Sequence, residues 1–341
     1  MLAKLDYILK RLVMSALVLL GLSVITFTLA RVVPSDPAAL YVGPRARPEQ
    51  VAAMRVKLGL DRPLYVQYLY YLRGALHGDL GTSIATKRPV VQEITERLPG
   101  SLELLAVGMS LATLVGVILG VLSARLQGSP FDALVRILSL VGVSLPSFWL
   151  ALLLQIIFYR QLGWFPITGR LDTTLRFTHP IEQITGFFLL DSLLTGNWVA
   201  FKDVAWHIVL PAATLAAYPM GLVARMTRAT MLEVLSQDYI RTARAYGVRE
   251  LFITGVYALK NALGPTLTVV GLSLAYALTG TFFVELIFNW PGLGTFTVHS
   301  LLKVDYPAIM GVTLFAAVGY VTINLIVDLL QAWIDPRVTL E

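Results

Sequence analysis

The chain has 341 residues, of which 56% are hydrophobic and 14% charged, with a formal net charge of +6 and a mean hydropathy of +0.72. Because soluble domains carry about 25% charged residues, this composition excludes an ordinary soluble protein. The lack of cysteine excludes disulfides, thiolate metal sites and cysteine nucleophiles. The positive charge is spread through loops, which argues against nucleic-acid binding.

Six charge-free segments predict membrane-spanning helices. A span needs about 20 apolar residues to cross the hydrocarbon core, and a charge at its centre costs at least about 2.5 kcal/mol. The segments are 19 to 23 residues long, whereas buried helices of soluble proteins give apolar runs of about 10–14 residues. They cover 12–30, 104–124, 137–159, 204–224, 264–284 and 306–327.

A seventh apolar segment, 183–201, carries Asp191 and several Gly, Ser and Thr residues, and predicts an interfacial or loop helix instead of a span. At the N-terminus, Lys4, Lys10 and Arg11 precede an apolar run of 19 residues that no small-residue cleavage site follows. A signal peptide has an apolar run of about 7–15 residues. The first segment is therefore predicted to be a retained span.

Six spans would place both termini on one face of the membrane. Counts of Lys and Arg leave that face open, because 12 of the 27 lie on the side of the termini and 15 on the other. The short N-terminal flank carries three positive charges against one Asp, which favours cytoplasmic termini. The predicted parts are the N-terminal flank and first span, 1–31; a large external loop, 32–103; a five-span core, 104–335, with an external loop, 160–203, and a cytoplasmic loop, 225–263; and a cytoplasmic tail, 336–341.

The first external loop contains two predicted helices, Pro48–Leu58 and Tyr65–Leu76, and the tyrosines of the second indicate a helix near lipid headgroups. The loop either docks a partner or covers a pore. The next residues read His-Gly-Asp-Leu-Gly, in which Asp79 either binds a docking protein or forms a turn with its own backbone. The docking candidates are His77, Gly78, Asp79 and Gly81.

The second apolar segment contains two glycines four residues apart, Gly116 and Gly120. Glycines at this spacing share one face of a helix and let another backbone approach closely. The pair predicts a packing surface between helices and implies no chemistry.

The loop between the fourth and fifth apolar segments predicts a short cytoplasmic helix. Ser236 or Asp238 is suited to cap it, Tyr239–Tyr246 form about two turns, and Gly247 is suited to the left-handed conformation that ends a helix. Helical character resumes over 249–260. Small side chains beside arginines would let the helix enter another protein's cleft and pair with carboxylates there. The residues assigned to this contact are Asp238, Tyr239, Arg241, Thr242, Ala243, Arg244, Ala245 and Gly247.

Two further groups lie at the ends of the last spans. The segment around Pro291 and Gly292 is a tight turn or, at the membrane edge, a re-entrant or gating element. Asn324 and Asp328 are four residues apart and share a helix face, so they either line a pore or bring Asp328 to the cytoplasmic interface. The gate candidates are Glu285, Pro291, Gly292 and Gly294.

The sequence contains no phosphate-binding Gly-x-x-x-x-Gly-Lys-Ser/Thr motif, no Gly-x-Ser-x-Gly and no His-Glu-x-x-His. We therefore expect a protein that is not an enzyme and has no ATP site of its own. A secondary transporter would show inverted repeats or broken, charged spans, and a membrane-embedded enzyme would show ionisable residues converging inside spans.

The cytoplasmic loop resembles the EAA loop of ABC importer permeases, whose pattern is Glu-Ala-Ala, three residues, then Gly. Here Arg241-Thr242-Ala243, three residues and Gly247 occupy those places, so Arg replaces the Glu. The form Asp-Tyr-Ile-Arg-Thr-Ala-Arg-Ala-x-Gly is similar to that of the dipeptide/oligopeptide subfamily. The His-Gly-Asp-Leu-Gly element at 77–81 and the Glu-Leu-Ile-Phe-Asn-Trp-Pro-Gly-Leu-Gly segment at 285–294 also resemble that subfamily, in order along the chain.

This resemblance implies an all-helical, six-span permease of the type I, MetI-like importer fold in a prokaryotic inner membrane. It implies half of a pore, with a second homologous permease subunit, two cytoplasmic ATPase subunits that bind ATP and Mg, and an external substrate-binding protein. The implied cargo is a dipeptide or longer peptide, with glutathione or a nickel chelate as alternatives. The chain itself would need no cofactor and no resident metal.

Overall fold

The computed structural model describes residues 2–32, 36–43 and 45–334, which are mostly helical. Two short π-helical stretches, Gln155–Gln161 and Ile253–Ala258, interrupt the α-helices. The first α-helices are α1 Leu2–Val32, α2 Pro37–Val42, α3 Pro48–Lys57, α4 Leu64–Leu76, α5 Val90–Arg125, α6 Pro130–Ser144 and α7 Ser147–Leu154. The others are α8 Leu175–Thr178, α9 Phe188–Leu194, α10 Trp198–Leu235, α11 Asp238–Ala245, α12 Glu250–Phe252, α13 Leu259–Ile287, α14 Leu293–Leu302 and α15 Tyr306–Ile334.

Within the described residues, four helices are long and apolar enough to cross a membrane. They hold the first, second, fourth and sixth predicted segments, and the fifth, 264–284, lies inside α13. The all-helical fold class is therefore confirmed, and the helices are compatible with six spans. The predicted division into loops and core stays a prediction, and its tail, 336–341, lies outside the described residues.

The predicted span over 137–159 is not one continuous helix, because α6 and α7 meet at a bend of 113°. Leu145 between them is extended, with φ −78° and ψ 131°. A proline disfavours helical backbone at the residue before it, and Pro146 follows Leu145. The two helices form either one broken span or a re-entrant pair.

The seventh apolar segment, predicted to be one interfacial or loop helix, is divided between α9 and the start of α10, because the chain turns at Gly196 (φ +68°) between them. Asp191 of α9 is buried and accepts hydrogen bonds from the Thr185 backbone (2.9 Å) and hydroxyl (2.6 Å) and from the Gly186 backbone (2.9 Å). Burial raises the pKa of Asp191, but these bonds outweigh it and hold the pKa below its ordinary value. The charge in this segment thus organises a loop.

By its contacts, the described chain divides into two compact units, of which the first contains 2–98 and 296–322. Both helices predicted in the first external loop are confirmed here, as α3 and α4. Tyr68 and Tyr71 of α4 pack against Phe27 of α1, with ring centroids 5.4 and 6.1 Å away, and this cluster continues to Tyr306. The tyrosines of α4 therefore do not all face lipid headgroups as predicted, because two of them form part of the core of this unit.

The second unit contains 99–295 and 323–334 and is built around α10. Glycines let the neighbouring helices approach α10 closely. A methyl group at Gly116 or Gly120 of α5 would lie 2.9 Å from the Val223 side chain or 2.6 Å from that of Thr227. The predicted packing role of this glycine pair is confirmed.

Candidate functional site

The short helix predicted between the fourth and fifth apolar segments is confirmed as α11, one residue earlier than the expected two turns. Neither predicted cap is used, because Gln237 precedes the helix without a side-chain cap bond, and the Ser236 hydroxyl donates to the Glu233 carbonyl instead. Gly247 has φ +76° and ends the helix as predicted. Its N–H donates to the Arg244 carbonyl (2.9 Å), so the chain turns sharply after two helical turns.

One face of α11 packs against a hydrophobic cluster of the second unit. Ile240 is completely buried there, with Met231 of α10 and Ile253 of the π-helical stretch before α13. Ala243 is half-buried and packs on the same cluster, so it does not share the outward face with Thr242 and Ala245. A displacement of α11 must therefore move the ends of α10 and α13.

The opposite face of α11 is exposed and charged. The side chains of Asp238 and Arg241 are 94% and 74% exposed, and their oxygen and nitrogen atoms lie 3.1 Å apart. Arg244 donates to Glu250 from Nε at 2.7 Å and from Nη2 at 3.4 Å. These hydrogen bonds hold the pKa of the Glu250 carboxyl below its ordinary value. Both arginines thus carry their charge on a surface that nothing in the second unit covers.

Two further hydrogen bonds involve α11, of which the first joins it to the start of α13 and the second lies within α11. The Tyr239 hydroxyl accepts from Asn261 Nδ2 at 2.9 Å, and the Thr242 hydroxyl donates to the Asp238 carbonyl at 3.0 Å. Helical character resumes at α12 as predicted and continues through the π-helical stretch into α13.

The His-Gly-Asp-Leu-Gly element forms a tight turn after α4, in the first unit. Asp79 Oδ1 accepts from the Gly81 N–H at 2.9 Å, which is the turn alternative for this residue. Gly78 and Gly81 have φ +80° and +83°, and His77 Nδ1 lies 2.8 Å from the Arg73 carbonyl. A docking role for these exposed residues stays a prediction.

The segment after α13 wraps around a buried carboxylate. Glu285 accepts from the Ser101 hydroxyl at 2.6 Å and from the Gly294 and Thr295 N–H groups at 2.7 and 3.2 Å. A methyl group at Gly294 would lie 2.6 Å from Phe282 Cα, and one at Gly292 would lie 2.5 Å from the Ser101 hydroxyl. Pro291 and Gly292 thus form the turn that leads into α14, whose first turn contains Gly294, and the role of this segment as a gate stays a prediction.

The two pore candidates of the last span are only partly described. Asn324 of α15 is half-buried. The Asp328 side chain lies outside the described part of the structure. Whether these residues line a pore stays a prediction.

Sequence reasoning missed two cavities of the second unit, of about 390 and 580 Å³. Both are lined by Tyr218 of α10 and Tyr276 of α13, whose ring centroids are 4.8 Å apart. Arg225 lines the smaller cavity, and the bend at Leu145 and Pro146 lines the larger one. The available signal was a pair of aromatic residues inside charge-free segments, and only the packing of α10 on α13 brings the two together.

Two family models match the chain. Residues 116–340 match the inner membrane component of binding-protein-dependent transport systems, and residues 4–105 match the N-terminal region of such membrane components.

Curated relatives match over nearly the whole chain. The chain is 48% identical to the probable D,D-dipeptide transport system permease protein of Escherichia coli, over 94% of each chain. It is 41% identical to the dipeptide transport system permease protein of Alkalihalophilus pseudofirmus, over 98% of this chain and 99% of the relative. It is 40% identical to the di/tripeptide transport system permease protein of Pseudomonas aeruginosa, over 98% of each chain.

Proposed function

We propose a function from the premise that this chain belongs to the family of inner membrane components of binding-protein-dependent transport systems. It forms half of the pore of an ATP-driven importer, beside a second homologous permease. Two cytoplasmic ATPase subunits bind ATP and Mg, and an external binding protein delivers the cargo. Both termini lie in the cytoplasm, and the chain has no catalytic site of its own.

The observation that carries this proposal is the construction of α11. Its inner face is fixed by Ile240 to the ends of α10 and α13, while its outer face presents Arg241 and Arg244 without cover. A rigid element with one anchored face and one charged free face can transmit the closure of an ATPase pair to the spans. Guanidinium groups bind carboxylates of a partner through paired hydrogen bonds.

The proposed mechanism is alternating access. ATP closes the ATPase pair, α11 moves with it, and α10 and α13 swing with α11. The cavities that Tyr218 and Tyr276 line are the proposed path, because aromatic faces attract a terminal ammonium group. Contacts on the path remain weak, since tight binding there would oppose release.

The proposed cargo is a dipeptide, because the relatives are described as D,D-dipeptide, dipeptide and di/tripeptide permeases. Glutathione and nickel chelates are the alternatives. In proteoliposomes that hold the complete complex, we expect dipeptides added with the binding protein to stimulate ATP hydrolysis. Stimulation by glutathione or a nickel chelate alone would show that the cargo assignment is wrong.

The variant Ala245→Glu tests the contact with the ATPase, because Ala245 is exposed on α11 and its substitution leaves the cluster below intact. We expect the membrane complex to lose its ATPase subunits during purification, or to hydrolyse ATP without transport. Ala53→Glu on α3 makes the same change at an exposed position and should retain the ATPase subunits. Full ATPase retention and transport in Ala245→Glu would contradict the proposal that α11 transmits the closure of the ATPase pair to the spans. A complex that transports without any ATPase would favour a secondary transporter.

A further inference from the structure

Two cavities of the first unit lie beside the end of the first span. They measure about 520 and 580 Å³ and share Arg31, Pro37 and Leu60 in their walls. Arg31 is the last residue of the apolar stretch Val13–Arg31, so it marks the level at which the span ends. We call this pair the span-1 cavities.

The walls of the span-1 cavities contain two buried polar atoms that have no hydrogen-bond partner. They are Arg31 Nε and Gln67 Oε1. Buried polar atoms in proteins are nearly always paired, and leaving one unpaired costs about 1–3 kcal/mol. Their concentration at one place indicates a polar ligand.

The orientation of the Gln67 amide is fixed by its other contacts. Its Nε2 donates to the carbonyls of Leu60 (3.3 Å) and Arg62 (2.7 Å), which leaves Oε1 as the free acceptor. Arg31 Nε is a donor in need of an acceptor. The missing ligand must therefore accept a hydrogen bond at Arg31 and donate one at Gln67.

The charges around the span-1 cavities favour an anion. Arg31 and Lys57 line the smaller cavity together, against the single carboxylate of Asp79. Asp36 and Arg55, which line the other cavity, are bound to each other at 2.7 Å. The cavities thus offer positive charge, a free donor at Arg31 and a free acceptor at Gln67. A phosphodiester that carries a hydroxyl or ammonium group matches these three features.

The surroundings of the span-1 cavities are those of a membrane surface. Within two turns below Arg31, α1 exposes Ile25 and Leu29. On α4, Leu64, Tyr65 and Leu69 are also exposed and apolar. Aromatic and apolar side chains of this kind lie at the level of lipid headgroups.

We propose that the span-1 cavities bind the headgroup of a phospholipid, with its phosphate at Arg31 and Lys57 and its hydroxyl or ammonium group at Gln67. The acyl chains then follow the exposed apolar face of α1. This assignment does not depend on the proposed transport function, because it uses only residues of the first unit. A free phosphate would meet the same cations but would gain nothing from α1.

The test uses the full chain, purified in detergent and delipidated, with phosphatidylglycerol added back and bound lipid counted by native mass spectrometry. We expect Arg31→Gln to weaken lipid binding about tenfold or more, because it removes a charged hydrogen-bond donor. Arg73→Gln is the matched control, since Arg73 is an exposed arginine of α4 outside the cavities, and it should bind like the unmodified chain.

Lys57→Gln keeps the test decisive if Arg31→Gln does not fold, because Lys57 is exposed and its loss leaves the packing intact. We expect this variant to bind lipid a few-fold more weakly. Unchanged binding in Lys57→Gln or Arg31→Gln would overturn the proposal. Displacement of the lipid by inorganic phosphate would overturn it in favour of a free-anion site, and displacement by a dipeptide in favour of a peptide site.

Discussion

The segments that flank α13 show two opposite ways of using charge. Before its N-terminal end, α11 carries Arg241 and Arg244 on a free surface, and only Ile240 is completely buried. After its C-terminal end, Glu285 is completely buried, and each of its oxygens accepts a hydrogen bond from within the second unit. The first arrangement leaves charge exposed, whereas the second uses charge to close a turn. The stability of the protein should therefore depend on the Glu285 turn, and its coupling should depend on α11.

Removal of the buried carboxylate should have the largest effect on stability. Glu285→Ala leaves the N–H groups of Gly294 and Thr295 and the Ser101 hydroxyl without an acceptor, at about 1–3 kcal/mol for each orphaned group. We expect a large fall in the midpoint of thermal unfolding of the purified protein in detergent.

Glu285→Gln separates hydrogen bonding from charge. The amide oxygen can still accept from the two N–H groups, and the amide nitrogen can donate to the Ser101 hydroxyl oxygen. We therefore expect Glu285→Gln to unfold near the unmodified protein. If it were as unstable as Glu285→Ala, the charge itself would be needed, and the turn could no longer be explained by its hydrogen bonds.

Glycine substitutions in the two segments should reduce stability by less than Glu285→Ala does. Gly294→Ala places its methyl 2.6 Å from the backbone atom Phe282 Cα, and such overpacking costs about 1–3 kcal/mol. Gly247→Ala meets no atom within 4 Å and is opposed only by φ +76°, at about 1–2 kcal/mol. Asparagine tolerates the left-handed region better than alanine.

Because the constraint differs between the two glycines, the order of the alanine and asparagine variants in unfolding midpoint should be reversed from one position to the other. Asparagine should be milder than alanine at Gly247 and harsher than alanine at Gly294, because only the second position lacks space. The same order at both positions would mean that one kind of constraint governs both segments.

The features of this fold that depend on residues close together in the sequence could be predicted from it. The α11 helix and the left-handed Gly247 were predicted within one residue, because turn chemistry acts over a few positions. The bend at Pro146 was missed although its cause is local, because a search for charge-free segments ignores the backbone.

The contacts between residues that are far apart in the sequence could not be predicted. Ser101 and Glu285 are separated by 184 positions, and the sequence gives no sign that one donates to the other. The inward direction of Ala243 was missed for a related reason, because it depends on which side of α11 meets the cluster around Met231. Tyr218 and Tyr276 likewise meet only once α10 packs on α13.

The smallest effect on stability is expected for the exposed ion pair of Arg244 and Glu250. Such pairs contribute about 0.2–1 kcal/mol and weaken in salt. Because Arg244 lowers the pKa of Glu250 in the folded protein, the contribution is present above the ordinary pKa of a glutamate and is lost as the pH falls through the lowered value. Glu250→Gln should therefore shift the unfolding midpoint only slightly at neutral pH, and less still in high salt.

The same substitution should alter coupling more than stability, since it frees Arg244 on the face that α11 presents outward. We expect a changed ratio of ATP hydrolysis to transport in the reconstituted complex, whereas Glu285→Gln, at the other end of α13, should leave that ratio unchanged. If Glu250→Gln destabilised the protein as strongly as Glu285→Ala, the charges of α11 would serve the fold itself. A partner surface would then have to be sought among other exposed residues.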